Sequence, residues 1–427
     1  MITAAAFSGK SFAVLGLARS GVATVEALLA SGASVMAWDG REEAREQLRE
    51  SHPQARIADP LTTSIYGFSG IVVSPGVPLN RHPIAEHGRQ AKVPVIGDIE
   101  LFAQARAELP PHKVVGITGT NGKSTVTALI HHIVQSAGIS TLMGGNIGLP
   151  ILSQEPLSEG GVYVLELSSY QIDLTQSLDC DVAVLLNISP DHLDRYDGMD
   201  DYAASKARLF AMQSPEHVAV IAAEDDYTRA IAAQVTGRKI LVSALQVKEQ
   251  VRWPSLQGPH NAQNVAAAVA VARELGIADA LIAEALITYP GLPHRMERVA
   301  EKGGVLFVND SKATNPTSTA PALAAYPAVH WILGGQPKGD DLAPCEPHLG
   351  HVRAAYTIGE AGPMFAQLLR PKVPVTECGE LGTAVSAAAR QAEAGEVVLL
   401  SPACASFDQF KDYEARGAAF RAAVEAL

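Results

Sequence analysis

A chain of 427 residues with 47% hydrophobic and 18% charged positions is globular in composition and too long for one ordinary core, so two or three domains are expected. A formal net charge of −12 with no lysine or arginine run argues against a nucleic-acid partner. Cys180, Cys345, Cys378 and Cys404 are scattered without a Cys-x-x-Cys pair, no stretch approaches a membrane span and no cleavable leader is read, so a cytoplasmic protein without disulfides, zinc or membrane insertion is expected.

Residues 11–16 read as a buried strand, 20–30 as a helix ended by Gly32, and 34–38 as a returning strand that finishes at Asp39. This βαβ unit is opened by Gly16-Leu17-Ala18-Arg19-Ser20-Gly21, close to a dinucleotide-binding turn but with Ala18 where a second glycine would admit a pyrophosphate. Asp39 stands where a ribose-binding acid belongs, and Arg41 beside it suits a phosphate. A plain packing turn is the alternative. Ile71-Val72-Val73 runs into Ser74-Pro75-Gly76, Asp98 opens a helix, and Glu108-Leu109-Pro110-Pro111 breaks the pattern, which bounds a first domain at 1–111.

Lys113-Val114-Val115 is a short buried strand, and a helix opens at Val126 to end near Ala137-Gly138. Between them lie Gly119, Thr120, Asn121, Gly122, Lys123, Ser124 and Thr125. A glycine-rich turn from strand to helix aims backbone amides at one point, Lys123 adds an ammonium for the β- and γ-phosphates, and Ser124 adds a hydroxyl for Mg²⁺. The strict phosphate loop has a glycine where Ile117 stands. A tight turn without a nucleotide would explain the glycines but not Gly-Lys-Ser-Thr. A strand at 162–165 delivers Glu166, a charge that is costly after four apolar residues unless Mg²⁺ or a salt bridge meets it. A strand at 181–186 delivers Asn187 and then Asp191-His192-Leu193-Asp194, where His192 is either a metal ligand or a helix cap. Helices are predicted at 200–212 and 260–275. Lys206 sits on the first of these among small residues with no acid four positions away; such a lysine usually faces solvent. The segment 289–293 ends a second domain, 112–291.

The remainder, 292–427, repeats the alternation, with strands at 305–309, 329–333, 354–358 and 396–400 and helices at 316–325, 380–393 and 410–425. In Asn309-Asp310-Ser311-Lys312-Ala313-Thr314-Asn315, Asp310 suits a ribose hydroxyl and Lys312 an anion. Lys338 again follows a strand directly, and solvated loop charge is the alternative for both lysines. The fold class is α/β in three domains: a Rossmann-like first, a phosphate-loop ATPase-type second with a mainly parallel sheet, and a Rossmann-like third. Hinges are expected near 110–111 and 289–293.

These motifs together carry a resemblance. Gly-Thr-Asn-Gly-Lys-Ser-Thr, Leu-Glu-Leu-Ser-Ser (165–169), Asp-His-Leu-Asp-Arg (191–195), Gly-Leu-Pro-His-Arg (291–295), Asn-Asp-Ser-Lys-Ala-Thr-Asn (309–315) and Ser-Pro-Ala-Cys-Ala-Ser-Phe-Asp-Gln-Phe (401–410) occur in the order seen in the Mur ligases of peptidoglycan synthesis, which the chain resembles throughout. The turn at 16–21, Ser74-Pro75-Gly76, Gly97-Asp98-Ile99-Glu100-Leu101 and the 401–410 motif point to the D-glutamate-adding members. The resemblance implies ATP-dependent joining of D-glutamate to UDP-N-acetylmuramoyl-L-alanine through an acyl phosphate, by a monomer that uses two Mg²⁺ ions. It also implies Lys123, Glu166, His192 and Lys206 as catalytic, with Ser124, Glu166, His192 and a carbamylated Lys206 on metal. Asn261, Asn264, Arg295 and Asp310 join the phosphate loop on ATP. Ser20, Asp39, Arg41, Ser74, Asn146 and Ser168 take the UDP substrate, and Lys312, Thr314, Lys338, Ser406 and Phe407 the amino acid. Two positions depart from the family pattern: Gln336-Pro337 replaces a frequent Asp-Gly, and Tyr413 a common phenylalanine.

Three other readings compete. A nicotinamide-dependent oxidoreductase accounts for 16–21 and Asp39 but leaves Lys123, Glu166 and the C-terminal motifs without a use. A non-catalytic ATP switch has no need for Lys312 or Lys338. Another Mur-type or folylpolyglutamate-type ligase shares Lys-Ser-Thr and Glu166.

Overall fold

The computed structural model describes residues 1–191 and 194–427. The chain divides into two compact units, Met1–Ser243 with Ala266–Ala285, and Ala244–Val265 with Leu286–Leu427.

The first unit contains two sheets. One runs Arg56–Ile57, Ser34–Trp38, Ser11–Leu15, Gly70–Val73, Val95–Ile96, all parallel. The other runs Arg238–Val242, Val218–Ala222, Val182–Leu185, His112–Thr118, Gly161–Glu166, Thr141–Gly145, also all parallel. Strands such as Gly70–Val73 and Val182–Leu185 are buried along their whole length, as parallel strands covered on both faces must be. In the second sheet His112–Thr118 has the two flanking strands Val182–Leu185 and Gly161–Glu166, so their carboxyl ends converge at a topological switch point, where ligands bind in open α/β sheets.

The boundary drawn near 110–111 lies inside this unit, and the structure shows why the two sheets cohere. Glu100, on the helix Asp98–Ala105, is only 3% exposed. Its carboxylate accepts from the backbone amides of Gln176 (2.7 Å) and Ser177 (2.9 Å) and from the Ser177 hydroxyl (2.8 Å). A buried carboxylate is tolerable when so satisfied. Arg106 pairs with Asp181 at 3.2 Å and donates to the Asp179 carbonyl. The rings of Phe102 and Tyr163 meet edge-on at 5.0 Å, within one apolar cluster that includes residues of both sheets.

The second unit holds a mixed sheet in the order Glu297–Lys302, Val305–Asn309, Val397–Leu400, Val329–Gly334, Val352–Ile358, Val375–Gly379. Only the edge strand Glu297–Lys302 is antiparallel, against Val305–Asn309. The helix predicted over 410–425 starts at Tyr413, because the Asp412 carboxylate caps it by accepting from the Ala415 amide at 2.7 Å. Among the described residues, no helix is long and apolar enough to cross a membrane.

Candidate active site

The strand before the phosphate loop is longer than the sequence predicted. It continues to Thr118, with Ile117 buried between Glu166 and Val184 in register. The loop therefore begins at Gly119, which explains an isoleucine where a phosphate loop usually has glycine. Gly119 (φ +148°) and Gly122 (φ +85°) take backbone conformations that favour glycine, and a Cβ on Gly119 would lie 3.0 Å from the Leu186 Cβ. The loop is pinned from the next strand: Thr120 N donates to Asn187 O (2.8 Å) and Asn121 N to Asn187 Oδ1 (2.8 Å). Lys123 folds back over it and donates to the carbonyls of Gly119 (2.9 Å) and Thr120 (2.8 Å). Ser124 and Thr125 are buried in the first turn of the helix Lys123–Ser136.

Glu166 ends its strand beside this loop and is 2% exposed. Asn146 grips it twice, through its amide to Glu166 O and its side chain to Oε1, both at 2.8 Å. Among the described residues, Oε2 is buried with no hydrogen-bond partner. A carboxylate in that condition calls for a cation. The neighbouring Gly145 (φ +87°) has no room for a side chain, since its Cβ would lie 2.1 Å from Glu166 O. Gly145→Ala is therefore expected to destabilise the unit by more than about 2 kcal/mol, read as a lowered urea midpoint; an unchanged midpoint would contradict this packing.

Lys206, on the helix Met199–Ala211, is 1% exposed rather than at the surface. Its Nζ donates to Gly119 O at 3.0 Å and lies 4.6 Å from the centre of the Tyr202 ring. Burial first, and the Lys123 charge second, push its proton affinity well below an ordinary lysine's, against the opposing pull of Asp191, Asp173 and Glu166. The phosphate loop, Asn146, Glu166 and Lys206 are thus gathered at one sheet edge. His192 lies outside the described residues. Among the described residues no three His, Cys, Asp or Glu side chains converge as a metal cluster. The groups here that could hold a cation are the Glu166 carboxylate and the Ser124 hydroxyl.

At the first sheet, Gly16 (φ +93°) and Gly21 make close backbone contact, a Cβ on Gly21 falling 1.8 Å from Gly16 O. Ser74 Oγ donates to Gly16 O at 3.1 Å. Asp39 accepts from Leu17 N (2.7 Å), Arg41 N (2.9 Å) and Arg41 Nε (3.2 Å), so its carboxylate shapes the turn and orients Arg41. Ser20 is the second residue of the helix Arg19–Ala30, which has no side-chain cap at its N-terminus. Ser168 is taken up locally: with Gln171 it forms a capping box for the helix Ser169–Asp173.

The second unit carries the other candidates. Asn264 Nδ2 donates to Asn261 Oδ1 at 3.0 Å, both being buried in the helix Pro259–Glu274. Asp310 accepts from Met296 N (3.1 Å) and Ser401 Oγ (2.8 Å), and burial pushes its carboxyl up to about 7 although Arg295 pulls the other way. Lys338 Nζ donates to Thr314 Oγ1 at 3.3 Å, and Lys312 Nζ lies 5.4 Å from the centre of the Tyr413 ring. The loops after three adjacent strands are laced together. Ala403 N donates to Ala313 O, and Gln336 and Ala405 exchange backbone hydrogen bonds. Ser406 is buried beside them, whereas Phe407 is 67% exposed.

Sequence reasoning missed two residues that organise these sites. Tyr202 is buried with its hydroxyl 3.1 Å from Thr120 Oγ1, and its position four residues before Lys206 on one helix was the available signal. Arg416 is 1% exposed and donates to Ser311 Oγ and O, Cys404 O and Ala405 O at 2.9–3.1 Å. Nothing in its alanine-rich helix announces that role.

Family models match the chain in three places: the Mur ligase MurD-like N-terminal domain at residues 10–97, the Mur ligase middle domain at 117–253, and the Mur ligase glutamate ligase domain at 294–404. Relatives named UDP-N-acetylmuramoylalanine–D-glutamate ligase are 65% identical in Novosphingobium aromaticivorans, over 100% of this chain and 97% of theirs, and 63% identical in Sphingopyxis alaskensis, over 100% of both. One from Zymomonas mobilis is 60% identical, again over 100% of both chains. Among solved structures, the UDP-N-acetylmuramate–alanine ligase of Thermotoga maritima aligns with a TM-score of 0.58 at 16% identity, covering 98% of this chain and 99% of its own, a likeness of fold. With its three domain matches and its end-to-end relatives, the chain belongs to the Mur ligase family, in its UDP-N-acetylmuramoylalanine–D-glutamate ligase branch.

Proposed function

We propose that this chain is an ATP-dependent ligase that joins the amine of D-glutamate to the alanyl carboxylate of UDP-N-acetylmuramoyl-L-alanine, a step of peptidoglycan precursor synthesis. The observation that carries the reading is the gathering of a phosphate loop, a buried half-paired carboxylate and a buried lysine at one sheet edge, in a chain matched end to end by enzymes of that name.

A carboxylate does not react with an amine at neutral pH until an oxygen is made a leaving group. In the proposed sequence the alanyl carboxylate oxygen attacks the γ-phosphorus of ATP and ADP departs. The D-glutamate nitrogen then attacks the acyl carbon, inorganic phosphate leaves and the nitrogen gives up a proton. The loop amides and Lys123 hold the β- and γ-phosphates and stabilise the charge that moves between them. Asn261, Asn264, Arg295 and Asp310 hold the rest of the nucleotide. The turn at 16–21 with Ser20, Asp39, Arg41 and Ser74 takes the uridine diphosphate, Asn146 and Ser168 flank the acyl end, and Lys312, Thr314, Lys338, Ser406 and Phe407 receive D-glutamate. Mg²⁺, as two ions held by Ser124, Glu166, His192 and carbamylated Lys206, would neutralise phosphoryl charge when bound. The Glu166 oxygen without a partner fits that role. The enzyme is read as a cytoplasmic monomer, where ATP and nucleotide-linked precursors are at hand.

The test is phosphate release from ATP across a panel of UDP-linked muramoyl precursors and amino acids. Turnover is expected only with UDP-N-acetylmuramoyl-L-alanine together with D-glutamate. Turnover with a different precursor and amino acid would replace this reading by that of another Mur ligase, and no turnover with any pair would leave a nucleotide switch.

A further inference from the structure

The turn that presents Arg295 is strained on both sides. His294 (φ +61°) and Met296 (φ +48°) are left-handed although neither is glycine, a conformation that side chains resist unless the surroundings enforce it. The enforcement is visible. His294 N donates to Glu297 Oε2 (2.8 Å), His294 O accepts from Lys312 N (3.0 Å), and Met296 N donates to Asp310 Oδ1 (3.1 Å).

The His294 ring adds a longer reach. It is buried, and its Nδ1 lies 3.0 Å from Asn309 Nδ2, a contact that suits a neutral ring accepting at Nδ1. Burial first, and Arg421 after it, hold the ring's proton affinity below that of an ordinary histidine, in keeping with a neutral acceptor. The ring fills a space left by the last helix, Tyr413–Glu425: a Cβ on Gly417 would lie 2.0 Å from His294 Nδ1. Tyr413 of the same helix meets the ring edge-on at 6.2 Å. That helix also carries Arg416, which ties together the loops of the amino-acid side.

We propose that His294 is a positioning residue for Arg295, keyed into the gap at Gly417 so that the last helix sets the aim of the guanidinium. The inference rests on the reading of Arg295 as a nucleotide contact. Its role is to hold a strained turn in register, and His294 itself touches no substrate.

The test is a double-mutant cycle in the full-length enzyme, with the KM for ATP, the KM for the UDP precursor and kcat measured for each variant. Arg295→Ala is the reference and should raise the KM for ATP. His294→Gly relieves the strain but removes the key, and should raise the KM for ATP about tenfold while leaving that for the UDP precursor within about twofold. In the Arg295→Ala background the same change should add less than about twofold. Gly417→Ala, which displaces the ring, should reproduce His294→Gly, and His294→Asn should recover part of the loss, because asparagine tolerates a left-handed backbone and offers an acceptor. If His294→Gly fails to fold, the Asn and Gly417 variants carry the same comparison. Additive effects in the cycle, or a fall in kcat with the KM for ATP unchanged, would overturn the positioning role alone. An unchanged KM for ATP in Arg295→Ala itself would overturn the nucleotide assignment, and the inference with it.

Discussion

Lys206→Ala is expected to lose roughly a hundredfold or more of kcat, and a short carboxylic acid such as formate or acetate in the buffer is expected to restore part of it. The reasoning begins from burial. A lysine 1% exposed, whose amine donates to the Gly119 carbonyl and sits within electrostatic reach of Lys123, has its proton affinity pushed well below an ordinary lysine's, which favours the neutral amine. A neutral amine has a lone pair that adds to the carbon of CO₂, releasing one proton and leaving a carbamate whose one negative charge is shared by two oxygens. That converts a misplaced cation into a ligand for hard metal ions next to Glu166. Added carboxylate would fill the same oxygen positions once the side chain is gone. Lys206→Arg should stay inactive, since a guanidinium remains charged and cannot be carbamylated. A fully active Lys206→Ala enzyme, together with no carbamate carbon signal in protein supplied with ¹³C-labelled bicarbonate, would sink the idea.

Lys123→Ala should reduce turnover by a thousandfold or so while binding of the UDP precursor, followed by calorimetry, changes by less than about twofold. Lys123 is folded over the phosphate loop of the second sheet, whereas the proposed uridine diphosphate cradle is the turn at 16–21 on the first. The two sites share no side chain, so one should fail without the other. Simultaneous loss of both bindings would show that the sites have been assigned to the wrong sheets.

How far the sequence could be read depended on the range of the forces involved. Ser34–Trp38 and Val305–Asn309 were legible to the residue, because apolar runs bounded by glycine and polar loops are local patterns. The phosphate loop and Glu166 were legible for the same reason: both sit at the end of such a run. The strand Glu297–Lys302 was not seen. Its Glu-Arg-x-x-Glu-Lys composition is what an edge strand uses to blunt its free side, and it hides the hydrophobic signal. Lys206 was read from its neighbours as a surface residue, and only the family resemblance pointed inward; its burial comes from packing against Gly119, 87 residues away. Arg416 escaped altogether. It donates to the Ser311 carbonyl, 105 residues away in the chain, and no spacing rule encodes a partner at that distance.

Glu100 also has a meaning for how this protein can be taken apart. Its carboxylate, on a helix that follows the first sheet, accepts from Gln104 of the same helix at 3.0 Å, but its other three donors, two amides and a hydroxyl, belong to the second. A scission or graft at Pro110-Pro111, the point that composition marks as the natural seam, would strip that carboxylate of three hydrogen bonds and open the Phe102–Tyr163 contact to water. For chimeras between Mur ligases, the interchangeable part is therefore the first two sheets as a pair. A first domain borrowed alone would bring a buried acid that keeps Gln104 but loses its three other donors, unless the recipient supplied its own equivalents of Gln176 and Ser177.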